Sequence, residues 1–240
     1  MVTPIKTGSL TQSKPVYRSA QPPPPAVFGP SDTHQFQGKI YDAVLYAHNK
    51  FKLTAGFQHI IINGSMATGG PGCLTGPKLE SGINKAPQTS LMTENDAVLR
   101  DAIAKGISEC FDRWRQGVTV PGLPWYPLFA AWPSPWAPPT PNVPVPLIAC
   151  TSRGILEITC SSRLASECTN QLSSQQRTPE AVSLINTVAS SLSIFFLSWL
   201  SKQQVTLVMG AGPVPGYAPP YVPVGSVVGG WVLPGIHLAT

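Results

Sequence analysis

The sequence predicts an α+β fold of small helix–strand units, duplicated, with long extended Pro/Gly-rich segments and arms. Three observations predict it. Apolar stripes at three- and four-residue spacing alternate with short β-branched runs. Proline-rich stretches without charge follow these units. Two of the units align with each other at one constant offset. The expected organisation is an extended Pro-rich arm over residues 1–35, a first helix/strand region over 36–152 and a second over 153–240.

Composition already limits function. Charged residues make up 11% of the 240 positions, against about 25% in an ordinary soluble domain. Prolines number 27, about twice the usual share of roughly 5%. Such a chain cannot cover its surface with the mixed charge that keeps a free monomer soluble. Disordered chains share the proline content but are rich in charge and poor in aromatics; here six Trp, eight Phe and six Tyr are present. Assembly with other protein chains is the better account. The net charge of +5 is spread along the chain. A nucleic-acid partner needs a clustered basic patch, so none is predicted. Met1–Ala20 has no apolar core of a secretory signal.

The elements follow in order. The arm carries Pro22–Pro25, a polyproline II run, and is expected to lie across a neighbouring subunit. Ile40, Val44, Ala47 and Phe51 mark a helix over 38–52. Phe57–Ile62 reads as a strand that ends at the Asn63–Gly64 turn. Thr93 followed by Asp96 resembles a capping box. It opens a second helix with the stripe Leu99, Ile103, Ile107, Cys110, Phe111 and Trp114, and Val118–Val120 follows as a strand. Residues 154–160 suggest another strand, and 161–177 a loop or short helix. Thr178, Pro179 and Glu180 open a third helix, with the stripe Leu184, Val188, Leu192, Phe195, Phe196 and Trp199; Val205–Val208 is its strand. The second and third stripes match position by position, from Leu99 with Leu184 to Trp114 with Trp199. The first helix fits that pattern loosely.

No charged residue occurs from Gln116 to Ser152, or from Gln203 to Thr240. Proline has no backbone donor, so these runs are not expected as central strands. Left in water they form a patch larger than monomers tolerate. They are expected to dock along neighbouring subunits, with Trp125, Trp132, Trp136, Tyr217, Tyr221 and Trp231 as contact residues, since aromatic side chains anchor interfaces.

Chemistry is sparse. The five cysteines form no CxxC pair, and free thiols are expected, with a single Cys160–Cys168 disulfide as the alternative. There is no HExxH, GxSxG or P-loop pattern. Gly69–Gly72 and Gly210–Gly212 are weak phosphate cradles, and a Cys110/His48 dyad is weakened by the place of Cys110 on an apolar stripe. No catalytic residue, metal, cofactor or small-molecule ligand is predicted, and the chain is expected not to be an enzyme. Ala181–Ser201 is uncharged and long enough to cross a bilayer, but its serines, Asn186 and Thr187 suit an amphipathic core helix better.

The segment Val214-Pro215-Gly216-Tyr217-Ala218-Pro219-Pro220-Tyr221-Val222-Pro223-Val224-Gly225, followed by Val227-Val228-Gly229-Gly230, resembles virion structural proteins of tailed bacteriophages, namely minor tail, baseplate or capsid-associated components. The resemblance is one of texture across the C-terminal half. It implies a structural virion subunit, present in many copies, without catalysis, assembled in the host cytoplasm and clasping neighbouring subunits. The alternatives are a membrane-associated protein that inserts residues 181–201, and a small enzyme or metal protein.

Overall fold

The structure is a computed structural model and describes residues 32–90, 92–218 and 224–238. It is mixed α+β, as the sequence predicts. The predicted arm lies outside the described residues as far as residue 31; residues 33–35 belong instead to the first helix. That helix, α1 (Thr33–Lys52), is capped by Asp32, whose carboxylate accepts from the Gln35 amide at 3.0 Å. Its face Phe36, Ile40, Val44, Ala47, His48 and Phe51 is buried.

The predicted strand at 57–62 is split into β1 (Gly56–Phe57) and β2 (Ile60–Asn63), because His59 between them has φ 54, a left-handed conformation that no strand accommodates. β2 turns into β3 (Met66–Gly69), and β4 (Leu74–Thr75) pairs with β1. A short α2 (Glu80–Asn84) leads to α3 (Glu94–Gln116). Thr93 caps α3 by accepting from the Asp96 amide at 3.3 Å, and the whole predicted stripe from Leu99 to Trp114 is buried.

The first charge-free run holds β5 (Val120–Pro124), β6 (Trp136–Pro141) and β7 (Val145–Pro146). Residues 154–160, predicted as a strand, form helix α4 (Ile155–Thr159). Tertiary contacts override the β-branched pattern there. The Ser152 hydroxyl bridges the Trp114 carbonyl (2.7 Å) and the Gly154 amide (3.1 Å), and Glu157 is held by Arg113 at 3.0 Å and by Arg163. Next come α5 (Ser161–Asn170) and α6 (Pro179–Lys202), the latter with the predicted Thr178 cap and buried stripe, except that Phe195 is half-buried. α5 crosses α3 so closely that a Cβ on Gly106 would lie 2.5 Å from the Cys168 Cα; a glycine is required at that crossing.

The chain ends with β8 (Gln204–Val205), β9 (Met209–Pro213) and β10 (Gly230–Val232). The predicted strand 205–208 stops early because Leu207 has φ 57. The main sheet is antiparallel, with order β5-β3-β2-β10-β9-β6, and β7 pairs with β8 in a separate ribbon. Three corrections follow. The sheet takes strands from both sides of the expected boundary at 152/153, and one buried cluster runs through both regions, so that boundary divides no separate cores. The charge-free runs also supply strands of their own fold: β6 lies against β9, and β7 against β8. The expectation that these runs supply no central strand is corrected for the second run, whose β9 and β10 lie inside the sheet, while the proline-rich β5 and β6 of the first run keep to its edges. The pairings do not confirm a duplication, since Val120 begins a sheet edge whereas Val205 joins the β7–β8 ribbon.

Asn142 fixes the turn that contains Leu207. Its amide nitrogen donates to the carbonyls of Val143 (2.8 Å) and Val205 (3.0 Å), and its side-chain oxygen accepts from the Val208 amide at 3.0 Å. Asn142 is buried. Asn142→Leu leaves two buried backbone groups, the Val205 carbonyl and the Val208 amide, without partners, at about 1–3 kcal/mol each, so urea denaturation is expected to show a loss of roughly 2–6 kcal/mol with an unchanged m-value.

Candidate functional site

One face of the six-stranded sheet is open. β2 buries Ile60 and Ile62 and exposes Ile61 and Asn63; β3 buries Ala67 and exposes Met66 and Thr68. Strand pleating makes this alternation, and the register carries it across the sheet: Thr68, Ile61, Trp231 and Ala211 form one cross-strand row. On the edge strand, Trp136 pairs with Pro213, two residues along from Ala211. Trp136 is 47% exposed and Trp231 43%. Their indole centroids lie 5.1 Å apart at an interplanar angle of 63°, so the two rings join across the strand between them.

None of these outward residues is charged. The same holds for every residue of the ten strands among the described residues, because Leu53–Pro77 is a further charge-free segment, one that the composition of the two longer runs had overshadowed. The ion pairs lie elsewhere, on helices and their flanks: Arg113 with Glu157 and Glu167, Arg115 with Asp112, Arg100 with Asp101.

The six predicted contact residues divide. Trp136 and Trp231 are exposed and touch each other. Trp125 is corrected to a core residue: it is 2% exposed, and its indole N–H donates to the Thr140 carbonyl at 3.1 Å. Trp132 and Tyr217 are half-buried against the core; Trp132 also exchanges both backbone hydrogen bonds with Gly225. Tyr221 lies outside the described residues. Ile61 and Met66 were missed, although the period-2 pattern of Ile60–Ile62 was the signal that could have found Ile61.

The dyad considered from sequence, Cys110 with His48, is tested by the environment of each side chain. The His48 ring packs edge-on to Trp199 at 4.5 Å and Phe195 at 5.2 Å, and its Nε2 has no partner. Burial, then the nearby Lys52 charge, lowers its pKa to about 3. The Cys110 thiol is pushed up to about 11 by burial and receives a hydrogen bond from Arg113 at 3.3 Å. A thiol that stays protonated and an imidazole that is so weak a base do not make the dyad considered from sequence. All five cysteines are free, which sets aside the Cys160–Cys168 disulfide. Gly210–Gly212 is no phosphate cradle but the middle of β9, where a Cβ on Gly210 would lie 2.3 Å from Ile62 Cδ1. An open cleft of about 330 Å³ between α1 and α6 is lined by Leu45, Lys52, Phe195, Trp199 and Lys202, with His48 on its wall. Among the described residues no three His, Cys, Asp or Glu side chains converge as metal ligands do.

No family model, curated protein or solved structure matches the chain.

His237 resembles His48 in its physics. Its Nδ1 accepts from the Phe57 amide at 2.8 Å, its Nε2 is buried without a partner, and burial lowers its pKa to about 4. Both histidines bind a proton more readily when unfolded, where the pKa is near 6.5. Their contribution to stability is therefore present above pH 6.5 and lost as pH falls toward 4 and 3. Between pH 7 and pH 5, above the range of ordinary carboxylates, urea denaturation is expected to register a loss of about 3–4 kcal/mol. His48→Phe is expected to remove about half of that slope.

Proposed function

We propose that this chain is a structural subunit of a large multi-protein assembly, of the kind that builds a tailed-phage virion, and that it docks neighbouring subunits through the open face of its six-stranded sheet. The observation that carries the reading is the joined pair Trp136 and Trp231, each nearly half exposed on an uncharged sheet face. On the same face Ile61, beside Trp231 in the cross-strand row, is 56% exposed and Met66 49%. Contiguous apolar surface of this sort marks protein contacts, and tryptophan is the side chain most enriched at their energetic centres.

The sheet edges favour docking by face over docking by added strands. β5 carries a bulge at Pro121–Gly122 and β6 one at Pro138–Pro139. Prolines and bulges on edge strands block further pairing. Neighbours, copies of this chain among them, therefore meet side chains and not open backbone.

The membrane-associated alternative draws on α6. It is long and apolar enough to cross a bilayer by length and composition, and it exposes Ile194 at 70% and Leu197 at 47%. Insertion would also have to withdraw Leu184, Val188, Leu192, Phe196 and Trp199 from the core, which favours the assembly reading. Liposome flotation separates the two: the chain is expected to stay at the bottom of the gradient.

Sedimentation velocity of the full chain tests the assembly reading. Concentration-dependent oligomers are expected, and Trp136→Ser with Trp231→Ser should weaken association at least about tenfold, as loss of interface anchors does. The helical circular dichroism signal at about 208 nm should not change. A wild-type chain that stays monomeric at all concentrations, and is absent from purified particles of its source by mass spectrometry, would refute the reading.

A further inference from the structure

We propose that the joined indoles of Trp136 and Trp231 receive the proline run Pro22–Pro25 of a second copy of this chain. The inference rests on the sheet face being a docking face and names what occupies it.

Four consecutive prolines fix φ near −65° and favour a polyproline II helix before any contact forms, so docking costs little ordering entropy. Helices of this type are recognised by aromatic surfaces on which prolyl rings pack. The two indoles supply such a surface. They meet at 63° as a corner, flanked by Ile61, Ala211 and Pro213. The charge also matches. No ionic side chain occurs from Ser19 to Ser31, and none on the sheet face, so burial leaves no charge unpaired on either side.

Chain length and exit point argue for a neighbour as the donor. The arm joins α1 at the Asp32 cap, and α1 packs against α2, α3 and α6. The buried stripe of α1 belongs to the one buried cluster that also holds the inward-facing sheet residues Ile60 and Ile62, whereas the indoles face outward. In extended form, Ala26–Ser31 reaches roughly 20 Å, at about 3.1 Å per residue. That is close to the radius of gyration of a chain this size, roughly 18 Å. Such a reach suits the face of an adjacent copy better than a path around its own molecule.

The test places a photo-crosslinking amino acid at Gln21 of the full chain, leaving the prolines intact. Unlabelled and nitrogen-15-labelled copies are mixed in equal parts, irradiated and analysed by mass spectrometry. Crosslinks from position 21 to peptides that contain Trp136 or Trp231 are expected, including pairs of mixed isotope. Their yield should fall at least about tenfold with Trp136→Ser and Trp231→Ser. Crosslinks confined to one copy, crosslinks to other surfaces, or no crosslinks would each overturn the proposal. A companion chain with Pro22–Pro25 replaced by serine distinguishes this failure from that of the docking face. If it sediments as the parent does while the tryptophan variant dissociates, the face stands and the arm is not its ligand. If both variants sediment as the parent does, both readings fall.

Discussion

A proline nitrogen has no hydrogen to give, and the sheet is arranged around that fact. Proline-bearing strands can use only one flank of their backbone or must bulge. β5 and β6 do both: they sit at the two edges, and their bulges fall at Pro121–Gly122 and Pro138–Pro139. The inner positions go to β3, β2, β10 and β9, and proline enters these only as Pro213, the last residue of β9. β9 carries glycine for a steric reason. Ile62 and the Trp125 indole occupy the space that a side chain at Gly210 would need. Proline at the rims follows from the missing donor, and glycine inside follows from the bulk of Ile62 and the buried Trp125.

That arrangement changes where the uncharged sequence finds its partners. Two long runs without ionic side chains need to be covered, and much of the cover comes from within the chain. β6 lies on β9, β7 on β8, and Trp132 bonds to Gly225. Among the described residues, what is left open is not the runs as a whole but one face of the sheet they build and scattered side chains such as Leu128 and Leu207.

Helices were the legible part of the sequence. The caps at Thr93 and Thr178 and the stripes of α3 and α6 use local signals, so spacing alone locates them. The stripe positions matched by sequence also meet in space, Phe111 with Phe196 at 5.7 Å and Trp114 with Trp199 at 5.4 Å. The illegible parts depend on distant contacts. Ile155–Thr159 has the composition of a strand, but Arg113 and Arg163 hold Glu157 on a helix. No local signal announces that Leu207 will sit at φ 57; Asn142, far away in sequence, pins the residues on both sides of it. The candidate site shows the same division. Aromatic content pointed to six residues, but whether an indole faces core or solvent is settled by register. Register turned Trp125 inward and Trp136 and Trp231 outward.

Charge and hydrophobic contact are separated in this molecule. The ion pairs and the buried His48 lie among helices, whereas every strand residue is neutral. Acid destabilises the fold through the buried imidazoles, His48 in the helical layer and His237 beside β1, which take a proton more readily on unfolding, and salt acts on the arginine–carboxylate contacts near the surface. Neither has a direct target on the open sheet face. A partner bound there gains no ion pair that salt could screen and strands no charge when water leaves. The strength of such a contact follows the apolar area covered, about 25 cal/mol per Å² before the costs of association. Its specificity has to come from shape, since a neutral face cannot select partners by charge. Two joined indoles on an otherwise low-relief sheet are the feature of that face with enough shape to be selective.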